Sequence, residues 1–332
     1  MILATMEMHC PVCSNRQFSQ ISEIFDDRYG EPNLYHLASC ISCGHLATTP
    51  RLMESDLPGL YGNYYPRKSI SAVNVQAEAE KIQRPFAKLL RWWNGTNNQG
   101  QYLVRAGETM LDVGCGSGTS LLEAQSLGAT AFGIEADPNV APIASALGLT
   151  IHFGSLQDQP FPDQQFDLIV MNQVIEHLPE PGLALQILRN RLKPGGRMVL
   201  VFPNQASLWR RFSGDRWINW HIPYHLHHFT STSFTRMASH CGFAVASTQT
   251  ITPNLWTLLQ LRANRIRPLL GQPSPLWRVA EPATGVLAKS QKKLFRTMIV
   301  MIFLTMFGVM NRIVDVFGFG DSLMVELRRS EE

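Results

Sequence analysis

One short stretch decides the fold of this chain: Leu111-Asp-Val-Gly-Cys-Gly-Ser-Gly-Thr119. An apolar run at 109–113 precedes its three glycines, and a segment with a helical pattern at 120–127 follows them. A glycine turn between a strand and a helix lets the backbone approach a nucleotide-type ligand closely. Glycine suits this turn because it lacks a Cβ atom and tolerates positive φ. The stretch therefore predicts a ligand site at the end of a buried strand.

The sequence on the C-terminal side of this turn alternates between strand and helix patterns. Strands are predicted at 109–113, 130–134, 149–153, 166–171 and 197–203, and helices at 119–127, 138–147 and 181–192. Such alternation is typical of a sheet of parallel strands with helices on both faces. Ligands of these sheets bind at the carboxyl ends of the strands. Each strand end is therefore a candidate part of the site.

Two acidic residues narrow the class of ligand. Glu135, at the end of the second strand, is placed to accept hydrogen bonds from both hydroxyls of a ribose. The G-x-G-x-G spacing differs from the G-x-G-x-x-G fingerprint of dinucleotide sites. Asp112 lies directly before the turn, where its charge would repel a pyrophosphate but suits an ammonium group. The pattern therefore disfavours a dinucleotide.

These motifs resemble those of the class I S-adenosylmethionine-dependent methyltransferases. Further matches follow in the order of the family: Glu135, Pro160-Phe-Pro-Asp-Gln-Gln-Phe-Asp167, Val174-Ile-Glu-His-Leu-Pro179 and Leu192-Lys-Pro-Gly-Gly196. The resemblance covers about residues 105–250. It implies an α/β fold with a Rossmann-like seven-stranded sheet, bound S-adenosylmethionine as cofactor and in-line transfer of its methyl group.

The resemblance also implies which residues hold the cofactor. They are Asp112, Gly114, Gly116, Gly118, Glu135, Ser155, Leu156, Asn172 and Gln173. The family usually has an acid at the end of the third strand, whereas this chain has Gly154-Ser155-Leu156 there. Ser155 and the nearby backbone are expected to serve instead, with Asp158 as a weaker candidate. Asn172 and Gln173 are expected to flank the methionine part of the cofactor.

Histidines supply the candidates for a general base. His177 follows the fourth strand, and four further histidines occur within residues 221–228, just beyond the fifth strand. Histidine titrates near neutrality and can accept a proton from a hydroxyl. The family pattern favours His225 or His228. A structural or gating role for each histidine, and a catalytic metal ion across the cluster, are the alternatives.

The N-terminal 60 residues contain two Cys-x-x-Cys pairs. Cys10, Cys13, Cys40 and Cys43 can supply the four thiolates of a closed, structural zinc site. Two reduced dithiols without metal are the alternative. Cysteine pairs of this kind fit a reducing compartment, and residues 1–8 show no signal-peptide pattern, so we expect a cytoplasmic protein. Residues 1–60 are thus predicted as a zinc ribbon, and residues 61–108 as a helical linker.

Residues 109–332 are predicted as the catalytic domain, with a helical insertion at about 251–318 and a closing strand at 321–327. The apolar segment 298–310 is too short to span a membrane comfortably. Residues 255–312 carry nine Arg or Lys against the single acid Glu281, which favours a peripheral contact with the inner, anionic face of a membrane. A helix packed over the active site or in a dimer contact is the alternative. The net charge of +3 gives no reason to expect nucleic acid.

A zinc ribbon followed by a methyltransferase domain is similar to bacterial deoxysugar methyltransferases and to proteins of surface-polysaccharide biosynthesis. Sugar C-methyltransferases have a further C-terminal domain that this chain lacks in recognisable form. We therefore expect methyl transfer to a hydroxyl of a sugar or lipid-linked glycan precursor. The alternatives are O-methylation of a quinone-like or lipid substrate, sugar C-methylation, and a non-catalytic S-adenosylmethionine-binding scaffold. The sequence does not predict an oligomeric state.

Overall fold

The computed structural model of the chain describes residues 2–3, 9–64, 70–277 and 305–330. The strands are β1 (Ile2–Leu3), β2 (Phe18–Phe25), β3 (Leu34–Cys40), β4 (Leu46–Thr49), β5 (Thr109–Val113), β6 (Thr130–Glu135), β7 (Thr150–Phe153), β8 (Phe166–Asn172), β9 (Leu192–Pro203), β10 (His227–His228), β11 (Phe243–Ile251) and β12 (Ser322–Arg329). The helices are α1 (Leu57–Asn63), α2 (Ala72–Ala79), α3 (Ala87–Asn94), α4 (Thr119–Ser126), α5 (Ala141–Ala146), α6 (Pro181–Arg189), α7 (Leu208–Ser213), α8 (Ser231–His240), α9 (Asn254–Ala263) and α10, whose described residues are 305–316.

Seven strands form the main sheet, in the order β11-β12-β9-β8-β5-β6-β7. The five strands from β9 to β7 are parallel, and β12 inserts antiparallel between β9 and β11. Most of β8 and β9 is buried, as expected of parallel strands covered by helices on both faces. The predicted seven-stranded, Rossmann-like α/β fold is confirmed.

The strand order reverses between β5 and β8, the two central strands of the parallel part. From β5 the chain moves outward to β6 and β7, then returns to the other side of β5 to form β8 and β9. Ligands of open α/β sheets bind at such a reversal, beside the carboxyl ends of the strands. The glycine turn after β5 and the segment after β8 therefore face the same crevice.

A second sheet joins the N-terminal module to the catalytic domain. Its order is β1-β2-β3-β4-β10, and all its pairs are antiparallel. The last strand, His227–His228, comes from the predicted histidine cluster and pairs with Leu46 and Ala47 of β4. The histidine segment thus covers an edge of the N-terminal sheet, and the two parts of the chain share one hydrophobic cluster that contains both Phe18 and Phe202.

The insertion before β12 is anchored by buried polar contacts. Asn311 in α10 donates through Nδ2 to Asn254 Oδ1 at 2.9 Å and to Thr257 Oγ1 at 3.0 Å, both in α9. Of the predicted apolar segment 298–310, residues 298–304 lie outside the described part, as do the basic residues Arg278, Lys289, Lys292, Lys293 and Arg296 and the acid Glu281. Within the described residues, none of the helices has both the length and the apolar character needed to cross a bilayer.

Candidate functional site

In the glycine turn after β5, two glycines are packed against side chains and the middle one, Gly116, faces open space. Gly114, Gly116 and Gly118 all have positive φ, at 76°, 55° and 84°. A Cβ atom on Gly114 would overlap Val174, and one on Gly118 would overlap Leu149. A Cβ atom on Gly116 would meet no protein atom within 4 Å. Gly116 therefore leaves room for a ligand to approach the backbone, whereas its two neighbours are required by packing.

Glu135 ties the end of β6 to this turn. Its Oε2 accepts a hydrogen bond from the backbone N–H of Gly116 at 2.7 Å, and its Oε1 accepts one from Asp137 at 2.8 Å. A carboxylate has about four acceptor positions, so each oxygen can still accept a hydroxyl. The geometry agrees with a carboxylate that holds a ribose next to Gly116.

Asp112 is a buried carboxyl group with one unused oxygen. Only 2% of the residue is exposed, and the Ser120 hydroxyl donates to its Oδ2. Its Oδ1 has no hydrogen-bond partner within the described part of the chain. The pKa of Asp112 is raised to about 7, chiefly by burial; the Ser120 hydrogen bond opposes the shift, and the nearby Glu135 and Glu123 charges add to it. A cationic ligand group at Oδ1 would favour the ionised form.

The two polar residues at the end of β8 differ in their surroundings. Asn172 accepts from the Gly100 N–H at 2.8 Å and donates to Gln101 at 3.0 Å, so it holds the short helical turn that precedes β5. Gln173 has a left-handed backbone with φ of 57°, and its buried Nε2 finds no partner among the described residues. A strained backbone and an unpaired amide are features of binding sites. Gln173 is therefore better placed than Asn172 to contact a ligand.

A short helical turn, Leu156–Asp158, follows the end of β7. Ser155 starts this turn as its capping residue, and its N–H donates to Asp158 Oδ2 at 2.8 Å. His152 also contacts Asp158 Oδ2, at 2.9 Å, and lowers the pKa of that carboxyl group. Leu156 is partly buried against the main core. This edge therefore offers a hydroxyl and an apolar side chain, while Asp158 is engaged by its neighbours.

Glu176, His177 and His225 come together beside the carboxyl end of β8. One ligand atom from each lies within 4.8 Å of the others, and His225 Nε2 is 3.9 Å from Glu176 Oε1. Burial raises the pKa of Glu176 to about 8 and lowers the pKa of His177 to about 4. The pKa of His225 is also lowered by burial, with the His177 and His228 charges adding to the effect. Both imidazoles are therefore neutral near pH 7.

His228 lies in a different environment from His177 and His225. It belongs to β10, and its Nε2 is 3.1 Å from the Thr48 hydroxyl, which donates to the His225 carbonyl at 2.7 Å. Burial lowers its pKa to about 3. The structure thus brings two of the three candidate bases together, and connects the third to the N-terminal sheet.

Residues of the N-terminal part reach the histidine cluster, which the sequence analysis missed. The Tyr61 hydroxyl is 3.0 Å from His177 Nδ1. The Tyr29 ring, from the hairpin between β2 and β3, packs edge-on against His221 at 5.7 Å and against Tyr224 at 5.5 Å between ring centroids. The signal in the sequence was the polar and aromatic tip of that hairpin, residues 26–29, between two strands.

The four cysteines of the N-terminal module converge. Cys10 Sγ lies 3.5 Å from Cys43 Sγ, and Cys13 Sγ lies 3.5 Å from Cys40 Sγ. Each pair sits on a tight turn in which the backbone N–H of Ser14 or Gly44 bonds to the first cysteine carbonyl, at 2.8 Å in both cases. Four thiols at one point are the donor set of structural zinc, so the residues fit the predicted ion.

A cavity of about 320 Å³ is bordered by Trp217, Trp220 and Ile222, which flank His221 in the sequence. Its walls also include Ile24 of β2 and five charged residues: Glu23, Asp27, Asp215, Arg216 and Arg267. The segment 217–222 therefore borders this cavity and also carries His221 to the histidine cluster. A cavity with tryptophan walls suits a ligand that has an apolar or ring-shaped part.

The family described as "Methyltransferase domain" matches residues 79–248, just over half of the chain. Ubiquinone biosynthesis O-methyltransferase of Cereibacter sphaeroides is 33% identical over 125 residues, covering 35% of this chain and 51% of that protein. A probable chloroplastic tocopherol O-methyltransferase of Oryza sativa is 33% identical over 103 residues, covering 28% of each chain. The chain thus spans about half or less of the length of these relatives.

Two solved structures align with most of this chain. A Haloferax volcanii complex between the Trm112 methyltransferase activator and a putative methyltransferase aligns with a TM-score of 0.45 and 16% identity, covering 77% of this chain and 98% of that chain. A methyltransferase of Archaeoglobus fulgidus aligns with a TM-score of 0.42 and 15% identity, covering 78% of this chain and 95% of that chain.

Proposed function

The chain belongs to the methyltransferase-domain family, and from this premise we propose that it transfers the methyl group of S-adenosylmethionine to a hydroxyl oxygen. The observation that carries the proposal is the set of unused groups at one crevice. Asp112 Oδ1 and Gln173 Nε2 are buried without partners among the described residues, and the space over Gly116 is open. A ligand would satisfy all three if it carried an ammonium group at Asp112, a carboxylate at Gln173 and a chain lying against the backbone of Gly116.

The residues fit S-adenosylmethionine part by part. Asp112 suits the α-ammonium group and the Gln173 amide suits the α-carboxylate, while Glu135 suits the ribose hydroxyls. When bound, the cofactor supplies a methyl group on a sulfonium, which needs no activation by the protein. The chain contributes orientation and exclusion of water, which together account for much of the rate of such a transfer.

We propose an acceptor with an aromatic or apolar part, such as a quinone-like hydroxyl compound. The tryptophan-walled cavity supports this class, and two relatives are O-methyltransferases whose names refer to ubiquinone and tocopherol. A sugar or lipid-linked glycan hydroxyl is the second candidate, because the carboxyl groups of Asp27 and Asp215 also line the cavity and can accept hydrogen bonds from sugar hydroxyls. Sugar C-methylation has no structural observation in its favour.

His177 and His225 are our candidates for accepting the hydroxyl proton. Both are neutral near pH 7 because burial lowers their pKa values, so each has a nitrogen lone pair available. The same low pKa values make them weak bases. We therefore expect His225→Ala to reduce the methylation rate less than loss of the cofactor site does.

We also propose that Cys10, Cys13, Cys40 and Cys43 hold a structural zinc ion. The converging thiols support this. A site with four protein ligands has no open position for water, so the role of the ion would be to stabilise the N-terminal sheet.

The test is a transfer assay with the full chain and isotopically labelled S-adenosylmethionine. Three acceptor pools are offered: catechols and hydroxyquinols with prenyl tails, nucleotide sugars, and lipid-linked sugars. We expect label in a methoxy group of the first pool, identified by fragment-ion mass spectrometry, and no transfer by Gly116→Arg. Binding of the cofactor without transfer to any pool would favour the scaffold alternative, and transfer to the sugars alone would overturn the acceptor class.

A further inference from the structure

Two segments that are distant in the sequence place a carboxylate and two imidazoles at one point. Ligand atoms of Glu176, His177 and His225 lie within 4.8 Å of one another. A tetrahedral ion with bonds of about 2.1 Å separates two ligand atoms by about 3.4 Å. The 3.9 Å between His225 Nε2 and Glu176 Oε1 is therefore close to the distance that a bound ion would impose.

The hydrogen bonds of both imidazoles orient them as metal ligands. His225 Nδ1 is 2.9 Å from the Asn219 carbonyl, and His177 Nδ1 is 2.9 Å from the Tyr224 carbonyl. A carbonyl oxygen only accepts, so each Nδ1 carries the hydrogen and each Nε2 has its lone pair. Metal-bound histidines almost always donate their other N–H in this way.

Glu176 supplies the strongest reason to expect a cation. The residue is 1% exposed, and neither carboxylate oxygen finds a hydrogen-bond donor within the described ranges. A buried carboxyl group without a hydrogen-bond partner is costly whether or not it is ionised, whereas a metal ion would satisfy its oxygens. His225 is the nearest cationic candidate, but its Nδ1–H already bonds to a carbonyl and its Nε2 carries no hydrogen in the neutral ring.

We propose that Glu176, His177 and His225 form a site for a divalent transition-metal ion, distinct from the four-cysteine site. Two imidazoles and one carboxylate favour Zn²⁺, Mn²⁺ or Fe²⁺ over Mg²⁺ or Ca²⁺, which prefer oxygen ligands. His177 is the one partly exposed member of the three, whereas Glu176 and His225 are buried. His221 Nδ1 lies 3.3 Å from His225 Nε2 and borders the same site.

The site stands independently of the proposed function, because only the ligand set is needed for an ion to bind. If the chain does methylate a hydroxyl, the ion would occupy the Nε2 lone pairs of His177 and His225, so these residues would act as metal ligands and would not accept the hydroxyl proton. The ion would then supply Lewis acidity in place of the imidazole bases, a role that rests on the proposed function.

The test counts metal ions in the full chain. Protein equilibrated with excess Zn²⁺ and then desalted is analysed by inductively coupled plasma mass spectrometry. We expect about two ions per chain in the unmodified protein and about one in Glu176→Gln and His225→Gln. His152→Gln, a histidine outside the cluster, is the matched control and should keep both ions.

A spectroscopic titration covers the case in which these variants fail to fold. Co²⁺ added to the metal-free, unmodified chain should first give intense thiolate-to-metal absorption from the cysteines. A second equivalent should then add only the weak visible bands of nitrogen and oxygen ligands. Saturation at one equivalent with the thiolate spectrum, or a second ion that Glu176→Gln retains, would overturn the proposal. Either result would leave the proposed methyl transfer untouched.

Discussion

Asp112 couples the cofactor site to pH. Its pKa is raised to about 7 because it is buried and lies near Glu135 and Glu123, so the carboxyl group is protonated below that pH. An ammonium ligand needs the ionised form. The affinity for S-adenosylmethionine should therefore fall by up to roughly tenfold per pH unit below about 7, as linkage requires.

Calorimetric titrations between pH 5.5 and 7.5 would check this dependence. In Asp112→Asn the affinity should be lower at pH 7.5 and nearly independent of pH over this range. A steep dependence that persists in Asp112→Asn would show that a different group titrates.

Gly116 and Gly118 should respond differently to the same substitution. Alanine at either position adopts an unfavourable positive φ, which costs about 1 kcal/mol. At Gly118 the new Cβ also overlaps Leu149, whereas at Gly116 it enters open space. We expect Gly118→Ala to lower the melting temperature more, and Gly116→Ala to weaken cofactor binding more. Equal effects of both variants on binding would contradict the assignment of Gly116 as the ligand-facing residue.

At the residue scale, the sequence predicted which residues lie together around the glycine turn better than it predicted the contacts of the histidines. The Gly114–Gly118 turn, Asp112 and Glu135 are close to one another in the sheet because the spacing of strands and turns is regular. The roles of His225 and His228 depend instead on the path of an irregular loop. No local pattern specifies that His225 meets Glu176 while His228 bonds to Thr48.

At the element scale, the four-cysteine module, which we propose to hold zinc, supports the histidine segment directly. β4 pairs with β10, and Thr48 N donates to the Leu226 carbonyl at 3.0 Å. Loss of the ion should loosen β4 and with it the backbone of residues 226–228. Cys13→Ser should therefore speed amide hydrogen exchange at these residues, measured by mass spectrometry.

Ser19→Ala, in the same sheet but outside the cysteine cluster, is the control and should leave exchange near the native rate. Unchanged protection of residues 226–228 in the metal-free Cys13→Ser protein would mean that β10 is held in place without the zinc site.

Local sequence patterns did not predict all the limits of the helices and strands. The predicted strand 197–203 is the buried half of β9, which begins at Leu192 because Leu192 already pairs with Phe166 of β8, with an irregularity at 193–196 before the regular pairing resumes at Arg197. The helical pattern of residues 75–93 is divided into α2 and α3, with Phe86 at φ of 60° between them. β10 was missed because two histidines have no strand periodicity, and its pairing depends on a chain separated by about 180 residues.

For the molecule as a whole, the described end of α10 presents an apolar surface. Val316 is 84% exposed, Phe317 71% and Met306 66%. Exposed apolar side chains favour burial in a membrane surface, and we therefore extend the membrane contact predicted for residues 255–312 to this end of α10. Flotation with vesicles of phosphatidylglycerol and phosphatidylcholine should recover the protein in the lipid fraction, and Val316→Asp with Phe317→Asp should reduce that recovery several-fold.

Val73→Asp is the matched control, since Val73 is 77% exposed on α2, away from this surface. If no protein is recovered in the lipid fraction, or if recovery is equal for all variants, the membrane contact is contradicted. The expected location at the inner membrane face would then have no support.

Sheet architecture could be predicted from the sequence because parallel strands, short turns and covering helices leave regular patterns. The shared edge between the N-terminal sheet and the catalytic domain could not, since it depends on contacts between segments that are distant in the chain. The crevice at Asp112, Glu135 and Gln173 could therefore be predicted, because these residues lie at the ends of regular parallel strands. The cavity beside Trp217 and Trp220 could not be predicted, because an irregular loop forms it.

The central claim is that S-adenosylmethionine binds at the carboxyl ends of β5 and β6. Isothermal titration calorimetry of the full chain with S-adenosylmethionine at pH 7.5 tests it directly, with Glu135→Ala as the site variant and the exposed Asp163→Asn as the control. We expect one molecule bound per chain, an affinity at least tenfold weaker in Glu135→Ala, and no change in Asp163→Asn. No heat of binding, or equal affinity in Glu135→Ala and the unmodified protein, would contradict the claim.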